Sequence, residues 1–367
     1  MIKPVYDNTH LTRLKLQGYK SIADTELGFG ALNVLIGSNG AGKSNLISFF
    51  RFINDILNQQ LQRSIGLAGG PDAVLHFGRK RTEALSAELF FGNNGYKFSL
   101  IPTDDNRMIF ARECLWWNLG SGDFHPQSGH FETAFQEKGS YTKVWDFVVP
   151  AMRSWRLYHF HDTSRSASVK QIHNLHDNEY LREDARNLAA FLLRLKQQHA
   201  EHYQRIVRTI RLIAPFFGDF ILRPTINNPD KIQLEWHEKD QDEPFNASAL
   251  SDGTLRFICL ATVLLQPEPF MPTTMLIDEP ELGLHPFAIT VLAGLMKSAA
   301  NRHQLIISTQ SVELVNEFEI DDLIIVDKHE GSSTFSRPDA QAYIEWLNDY
   351  TLGELWKKNL LGGRPGR

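Results

Sequence analysis

The run Gly37-Ser-Asn-Gly-Ala-Gly-Lys-Ser44 leaves this chain few choices of local fold. Its G-x-x-x-x-G-K-S spacing is that of a phosphate-binding loop (Walker A), and the chemistry works only when a strand feeds the loop and a helix leaves it. Both neighbours are present. Ala31 to Ile36 is a short apolar run containing Val34 and Ile36, and from Ser44 the residues Leu46, Phe49, Phe50, Ile53 and Leu57 recur at helical spacing. Glycines at Gly37, Gly40 and Gly42, with Ser38, Asn39 and Ala41 between them, let successive backbone N–H groups turn inward around a β-phosphate. Lys43 then reaches the β- and γ-phosphates, Ser44 offers its hydroxyl to Mg²⁺, and Asn45 closes the binding set. The helix that starts there adds the positive end of its dipole. ATP with Mg²⁺ is the expected ligand.

The rest of the chain reads as an α/β protein. Leu11 to Leu16 alternates like a strand, and between Ala84 and Trp117 three apolar runs separated by GNNG and TDDN read as an antiparallel meander. Two helices are expected between Asn178 and Leu212, too short for a long coiled-coil arm. Beyond Pro244 the order is a helix from Leu255, a strand at Thr274 to Ile277, a helix from Phe287, and strands at Gln304 to Ser308 and Leu323 to Val326. That alternation predicts a parallel sheet. The 367 residues are 42% hydrophobic, enough for a sizeable core, and the net charge of -5 excludes a global basic field of the kind that drives non-specific nucleic-acid binding. Nucleic acid remains possible only through local clusters, Arg79-Lys-Arg81 and the terminal Lys357, Lys358, Arg364 and Arg367, which read more simply as solvated surface. Cys114 and Cys259 sit in apolar surroundings as reduced core thiols. With no apolar leader behind MIKPVYDNTH and no long apolar run, the expectation is a cytoplasmic chain with no membrane segment.

Met275-Leu-Ile-Asp-Glu-Pro280 ends an apolar strand in two acids, the Walker B arrangement. Asp278 is the expected Mg²⁺ ligand and Glu279 the residue that orients or deprotonates the attacking water. Ala249-Leu-Ser-Asp-Gly-Thr-Leu255 precedes it, where Ser251 or Asp252 has a sufficient local reason to exist as a helix N-cap. Ile306-Ile-Ser-Thr-Gln-Ser311 is a strand ending in polar residues.

In this order, GSNGAGKS, LSDGT and LIDEPELGLHP resemble ABC-type ATPase heads. The start of the chain, LKLQGYKSIADTELGFGALNVLIGSNGAGKSNLI, resembles stand-alone bacterial ATPases related to the heads of RecF, SMC and overcoming-lysogenisation-defect proteins. Nearly the full length, through GGPDAVLHFGRK, YHFHDTS, LSDGTLRF, DEPELGLHP, ISTQSVEL and GELWKKNLLGGRP, resembles a group of bacterial "AAA family" ATPases. The resemblance implies a P-loop head with an antiparallel β subdomain and a helical insertion, closing as an ATP-bound homodimer. In such dimers the signature residues, here Ser251 and Gly253, bind the γ-phosphate held by the other protomer. Glu281-Leu-Gly-Leu-His-Pro286 matches the loop that crosses the interface, and Gln310 stands where such heads carry a switch histidine. A glutamine there hydrogen-bonds but carries no charge. Some relatives serve in defence against phage with a separately encoded effector. The competing readings are a repair or recombination ATPase acting directly on DNA, and an ATP-gated scaffold with negligible turnover.

Within one ATPase domain the expected divisions are 1–165 for the phosphate-loop lobe, 166–248 for the helical insertion, 249–340 for the signature lobe and 341–367 for a helical tail. Only about forty residues follow Val326, so the nuclease domain that some relatives carry is not expected in this sequence. A Q-loop glutamine has no counterpart near Leu157-Tyr-His-Phe-His-Asp-Thr-Ser164, where His161 or Asp162 is the nearest substitute. His159, His161, His173 and His176 raise the thought of a metal cluster, against which stands the lack of cysteines or a clear carboxylate set. In the tail, Tyr343, Trp346, Leu347, Leu355 and Trp356 form either a docking surface or, more simply, a helix packed on the core.

Overall fold

The computed structural model describes residues 9–118, 122–137 and 142–363; the start of MIKPVYDNTH and the terminal Arg364 and Arg367 lie outside them. The chain folds as two compact units, one of Met1–Arg156, Thr273–Leu276 and His303–Arg367, the other of Leu157–Pro272 and Ile277–Arg302.

In the first unit the apolar run before the phosphate loop becomes the strand Leu32–Ile36, buried along its whole length. A run without alternation encodes a strand covered on both faces. Gln304–Thr309 and Leu323–His329 flank it in parallel. The sheet order is Ser332–Ser336, Leu323–His329, Leu32–Ile36, Gln304–Thr309 and then the first residues of Thr274–Asp278. Ser332–Ser336, antiparallel to its neighbour, is an edge strand too polar to announce itself in the sequence. The helix Lys43–Leu57 leaves the loop and buries the face of Leu46, Phe49, Phe50, Ile53 and Leu57 that its periodicity marks out.

A second sheet is the meander Leu85–Phe91, Asn94–Pro102 and Met108–Trp117. It is widened by Arg13–Tyr19 and Ile22–Gly28 on one side and by Gly122–Phe124 on the other. On Met108–Trp117 the fully buried Glu113 carboxylate accepts hydrogen bonds from Tyr96 Oη (2.7 Å), Thr133 Oγ1 (2.5 Å) and the Ala134 amide (2.9 Å), and His130 Nε2 lies 2.8 Å away. The bond to Glu113 raises the His130 pKa above its ordinary value, with burial opposing and the Glu113 charge assisting. A histidine whose folded pKa is raised contributes stability that is complete below its unfolded pKa, about 6.5, and is lost as pH climbs through the folded value. Urea midpoints should therefore fall as pH rises from about 6.5, and His130→Gln should flatten that slope. A slope that His130→Gln leaves intact would assign the pH dependence to another group.

The second unit carries the helices Leu188–Gln198, Ala200–Ile213, Asp252–Leu265 and Pro286–Ala300. The expected pair of helices is present, yet the first begins at Leu188 rather than near Asn178. Asn187 is the reason: its buried side chain accepts from the Arg182 amide and donates to Asp177 O and Tyr180 O, holding the preceding residues as an irregular loop. Side-chain amides that satisfy the backbone in this way compete with helix formation. Burial pushes the Cys259 thiol up to about 12, and in the first unit Cys114 to about 11, as expected of inert core thiols.

The tail of the first unit divides between its two readings. The helix Leu352–Lys357 is packed, with Leu355 and Trp356 buried, whereas Ala340–Asp349 buries none of its side chains and leaves Ile344, Trp346 and Leu347 exposed. Among the described residues no helix is long and apolar enough to cross a membrane.

Candidate functional site

The phosphate loop is built and braced within the first unit. Lys43, itself buried, curls back over the loop and donates to Gly37 O (2.5 Å) and Ser38 O (3.1 Å). Gly42 adopts φ +124, and a Cβ there would run into Ser333 Oγ. The polar edge strand is therefore a brace: Ser333 Oγ donates to Ala41 O (2.6 Å), Ser21 Oγ lies 2.7 Å from Ser333 Oγ, and Asn45 Nδ2 donates to Ser21 Oγ (2.6 Å). Gly363 reaches back so that its carbonyl accepts from the Ser38 amide at 2.8 Å. Nothing in the sequence tied Ser333 or Gly363 to the phosphate loop.

Gln310 is exposed immediately after Gln304–Thr309. Ile36 is paired with Thr309, so the next residues along the two parallel strands are Gly37 and Gln310. Thr309 and Ser311 have local duties. Thr309 Oγ1 accepts from the Ser311 amide, and Ser311 caps Val312–Val315 by accepting from the Leu314 amide. The polar cluster at this strand end is thus capping at two positions, and Gln310 is what it presents to solvent.

Ser251, Gly253, Asp278 and Glu279 belong to the second unit. Ser251 caps the 14-residue helix Asp252–Leu265, accepting from the Thr254 amide, and is exposed at the helix N-terminus. Capping and anion binding are compatible here, because both put polar groups at the positive end of the dipole. Gly253 has a packing reason as well, since a Cβ would collide with Gly283 O in the Glu281 to Pro286 loop. His285 caps Pro286–Ala300 by accepting from the Phe287 amide. Glu279 sits at φ +43, in the left-handed region. A non-glycine residue there costs about 1–3 kcal/mol, and such residues concentrate at active sites.

Arg256 ties these loops together. Its Nε donates to Phe160 O (3.0 Å), Nη2 to His161 O (2.8 Å) and Nη1 to Leu282 O (2.7 Å). His161 Nε2 in turn bonds Asp278 O at 3.0 Å, and His159 Nδ1 lies 3.9 Å from Asp278 Oδ2. Lys170, buried, donates to Thr163 O (2.5 Å) and lies 3.7 Å from the Asp252 carboxylate. Arg256 and Lys170 were missed in the sequence because a lone cation in an apolar motif does not reveal which carbonyls it will meet. Of the two Q-loop substitutes, His161 reaches Asp278. Asp162 instead closes its own turn, and hydrogen bonds from Ser164 hold its carboxyl below the ordinary range. The four histidines do not form one cluster. His173 bonds Ser168 O, and His176 pairs with Asp230 at 3.7 Å.

A phosphate loop between a buried strand and a helix, in a parallel sheet joined to an antiparallel one, defines a P-loop α/β protein of the ABC-type ATPase head class. The chain belongs to the family described as "AAA domain, putative AbiEii toxin, Type IV TA system", which it matches over residues 32–316. No curated protein matches it in sequence. Among solved structures the fold is similar to that of an Smc head bound to the C-winged helix domain of ScpA (TM-score 0.59, 17% identity, 91% of this chain and 100% of that one). It is also similar to the Pyrococcus yayanosii Smc head with a coiled coil and joint (TM-score 0.56, 11% identity, 93% and 99% covered). A third is the Smc head derived from Pyrococcus furiosus with an extended coiled coil, bound to the C-terminal domain of ScpA (TM-score 0.53, 15% identity, 93% and 99% covered). These likenesses establish the fold, and with the family they make the chain a P-loop ATPase of this head type.

Proposed function

We propose that the protein hydrolyses ATP as a homodimeric switch, two copies closing head to tail on two nucleotides. The observation that carries this reading is Ser251 exposed at the N-terminus of a capped 14-residue helix, which turns the positive end of the helix dipole to solvent. In this reading Gly37 to Asn45 cradle the phosphates of ATP, and Ser251 and Gly253 complete the site of the other copy. Ser44 and Asp278 hold Mg²⁺, which neutralises phosphate charge when bound. Glu279 takes the proton of the attacking water, and Gln310 hydrogen-bonds the water or the γ-phosphate without exchanging a proton. ATP then acts as dimer glue as well as substrate, since binding across an interface favours the assembled state by mass action.

The same reading places the switch upstream of a separate effector protein in bacterial defence. Its support is the resemblance to relatives that act in defence with a separately encoded effector, together with two structural neighbours that are heads bound to domains of a second protein, ScpA.

Solution mass tests the switch. Glu279→Gln is expected to be a monomer alone and a dimer with Mg-ATP, and adding Ser251→Arg should return it to monomer with nucleotide still bound. A mass indifferent to ATP, or a dimer indifferent to Ser251→Arg, would remove the trans site. Binding of a DNA duplex that weakens steeply with salt would move the protein toward the repair reading.

A further inference from the structure

We propose that His159, His161 and Asp278 form a binding site for a first-row transition dication of the Zn²⁺, Co²⁺ or Mn²⁺ class, which the protein takes up without nucleotide. The proposal deepens the ATPase reading and rests on it only in treating Asp278 as the metal-side carboxylate of that site.

The sequence sets up the pair. In an extended segment alternate residues face opposite sides. Tyr158 and Phe160 are buried at 2% and 9% exposure, so His159 and His161, which alternate with them, share the other face. Their rings lie 4.0 Å apart, and one ligand atom from each, with a carboxylate oxygen of Asp278, all fall within 4.8 Å of one another. Two histidines and one carboxylate are the ligand set of many catalytic zinc and non-haem iron sites, which leave open positions for water or substrate oxygen. Mg²⁺ prefers oxygen throughout, so two imidazoles select against it.

The ligands are held before any ion arrives. A carbonyl can only accept, so the 3.0 Å contact between His161 Nε2 and Asp278 O fixes the hydrogen on Nε2 and leaves the lone pair on Nδ1. Metal-bound histidines are commonly oriented by such a bond from the other ring nitrogen. The His159 amide donates to Glu183 O at 3.1 Å, and the Arg256 fork holds the carbonyls of Phe160 and His161. Metal–nitrogen bonds of about 2.1 Å bring ligand atoms to about 3.4 Å from one another. The His159–Asp278 pair at 3.9 Å is near that, and the His159 side chain, 54% exposed, is able to swing the remainder. The two histidines line a cavity of ≈ 430 Å³ together with Asp162, Asp184, Arg256 and Cys259 among others, room on the imidazole side for the water that would complete the coordination.

The test is a Co²⁺ titration of the nucleotide-free full-length protein, followed by visible absorption, with binding of a non-hydrolysable ATP analogue and Mg²⁺ measured on the same preparations. One Co²⁺ per chain is expected, resistant to a large excess of Mg²⁺ and displaced by Zn²⁺. His159→Gln, whose side chain is 54% exposed, should weaken it by at least about 100-fold with the thermal midpoint unchanged, since loss of an outer-shell partner alone costs about 10- to 100-fold, and Asp278→Asn should weaken it at least as much. His161→Gln serves as a second variant. The exposed Asp123 and His125 with Cys114 make another close trio in the first unit, so Cys114→Ser is run beside them. Loss of binding in Cys114→Ser with retention in His159→Gln would overturn the proposal, as would absent binding or ready displacement by Mg²⁺. If Co²⁺ binding fails while the analogue binds, only this proposal falls. If the analogue does not bind, the ATPase reading falls whatever Co²⁺ does.

Discussion

Glu279→Gln is expected to lower ATP turnover by about 10³-fold while leaving ATP binding intact, a loss in the middle of the range for removing a general base and equal to about 4 kcal/mol of barrier. Glutamine keeps the length and shape of the side chain and should accept the same φ of +43, so the end of the Walker strand and the turn after it, in which the Leu282 amide bonds Glu279 O at 3.3 Å, are undisturbed. Only the capacity to take a proton is removed. Turnover measured with saturating ATP, beside equilibrium binding of ATP to the same variant, separates the two effects. A loss of less than about tenfold would place the base elsewhere, because a positioned base contributes at least about 10².

How far the sequence discloses such a site depends on the kind of residue. Lys43, Ser44, Asp278 and Glu279 were legible because the chemistry fixes both their type and their place relative to a strand and a helix, and the strand Leu32–Ile36 and helix Lys43–Leu57 appear where apolar periodicity places them. The meander was legible for a similar reason, since turn residues interrupt its alternation. What stayed hidden depends on partners distant in sequence. Ser333 braces Ala41 across 292 residues, and Gly363 meets Ser38 from the far end of the chain. The delayed start of the helix at Leu188 follows from one buried amide, Asn187, whose partners no local window contains. His159 and His161 were visible as a pair, but their carboxylate lies 117 residues beyond His161, and only folding shows that it is Asp278.

Arg256 illustrates the same point energetically, and its removal should be costly. Its guanidinium serves three carbonyls on two separate loops, those of Phe160, His161 and Leu282. Hydrogen bonds to charged groups contribute about 1.5–3 kcal/mol each, and three that share one side chain do not add. Arg256→Ala should therefore destabilise the protein by about 3–4 kcal/mol, read as a lowered urea midpoint at constant slope. Arg256→Lys should recover less than half of this, because an ammonium is a compact donor and cannot span the directions that a planar fork reaches. The effect on turnover should exceed the effect on nucleotide affinity. Arg256 bonds carbonyls of its own unit, fixing His161, which bonds Asp278 O, and Leu282, beside the Gly283 that packs on Gly253. Displacing catalytic groups by about 1 Å costs about 10²-fold in rate, so Arg256→Ala should fall by that order in turnover and lose ATP-driven dimerisation, with ATP affinity preserved. A variant as stable and as active as wild type would show that the Asp278 loop and the signature helix are positioned independently of each other.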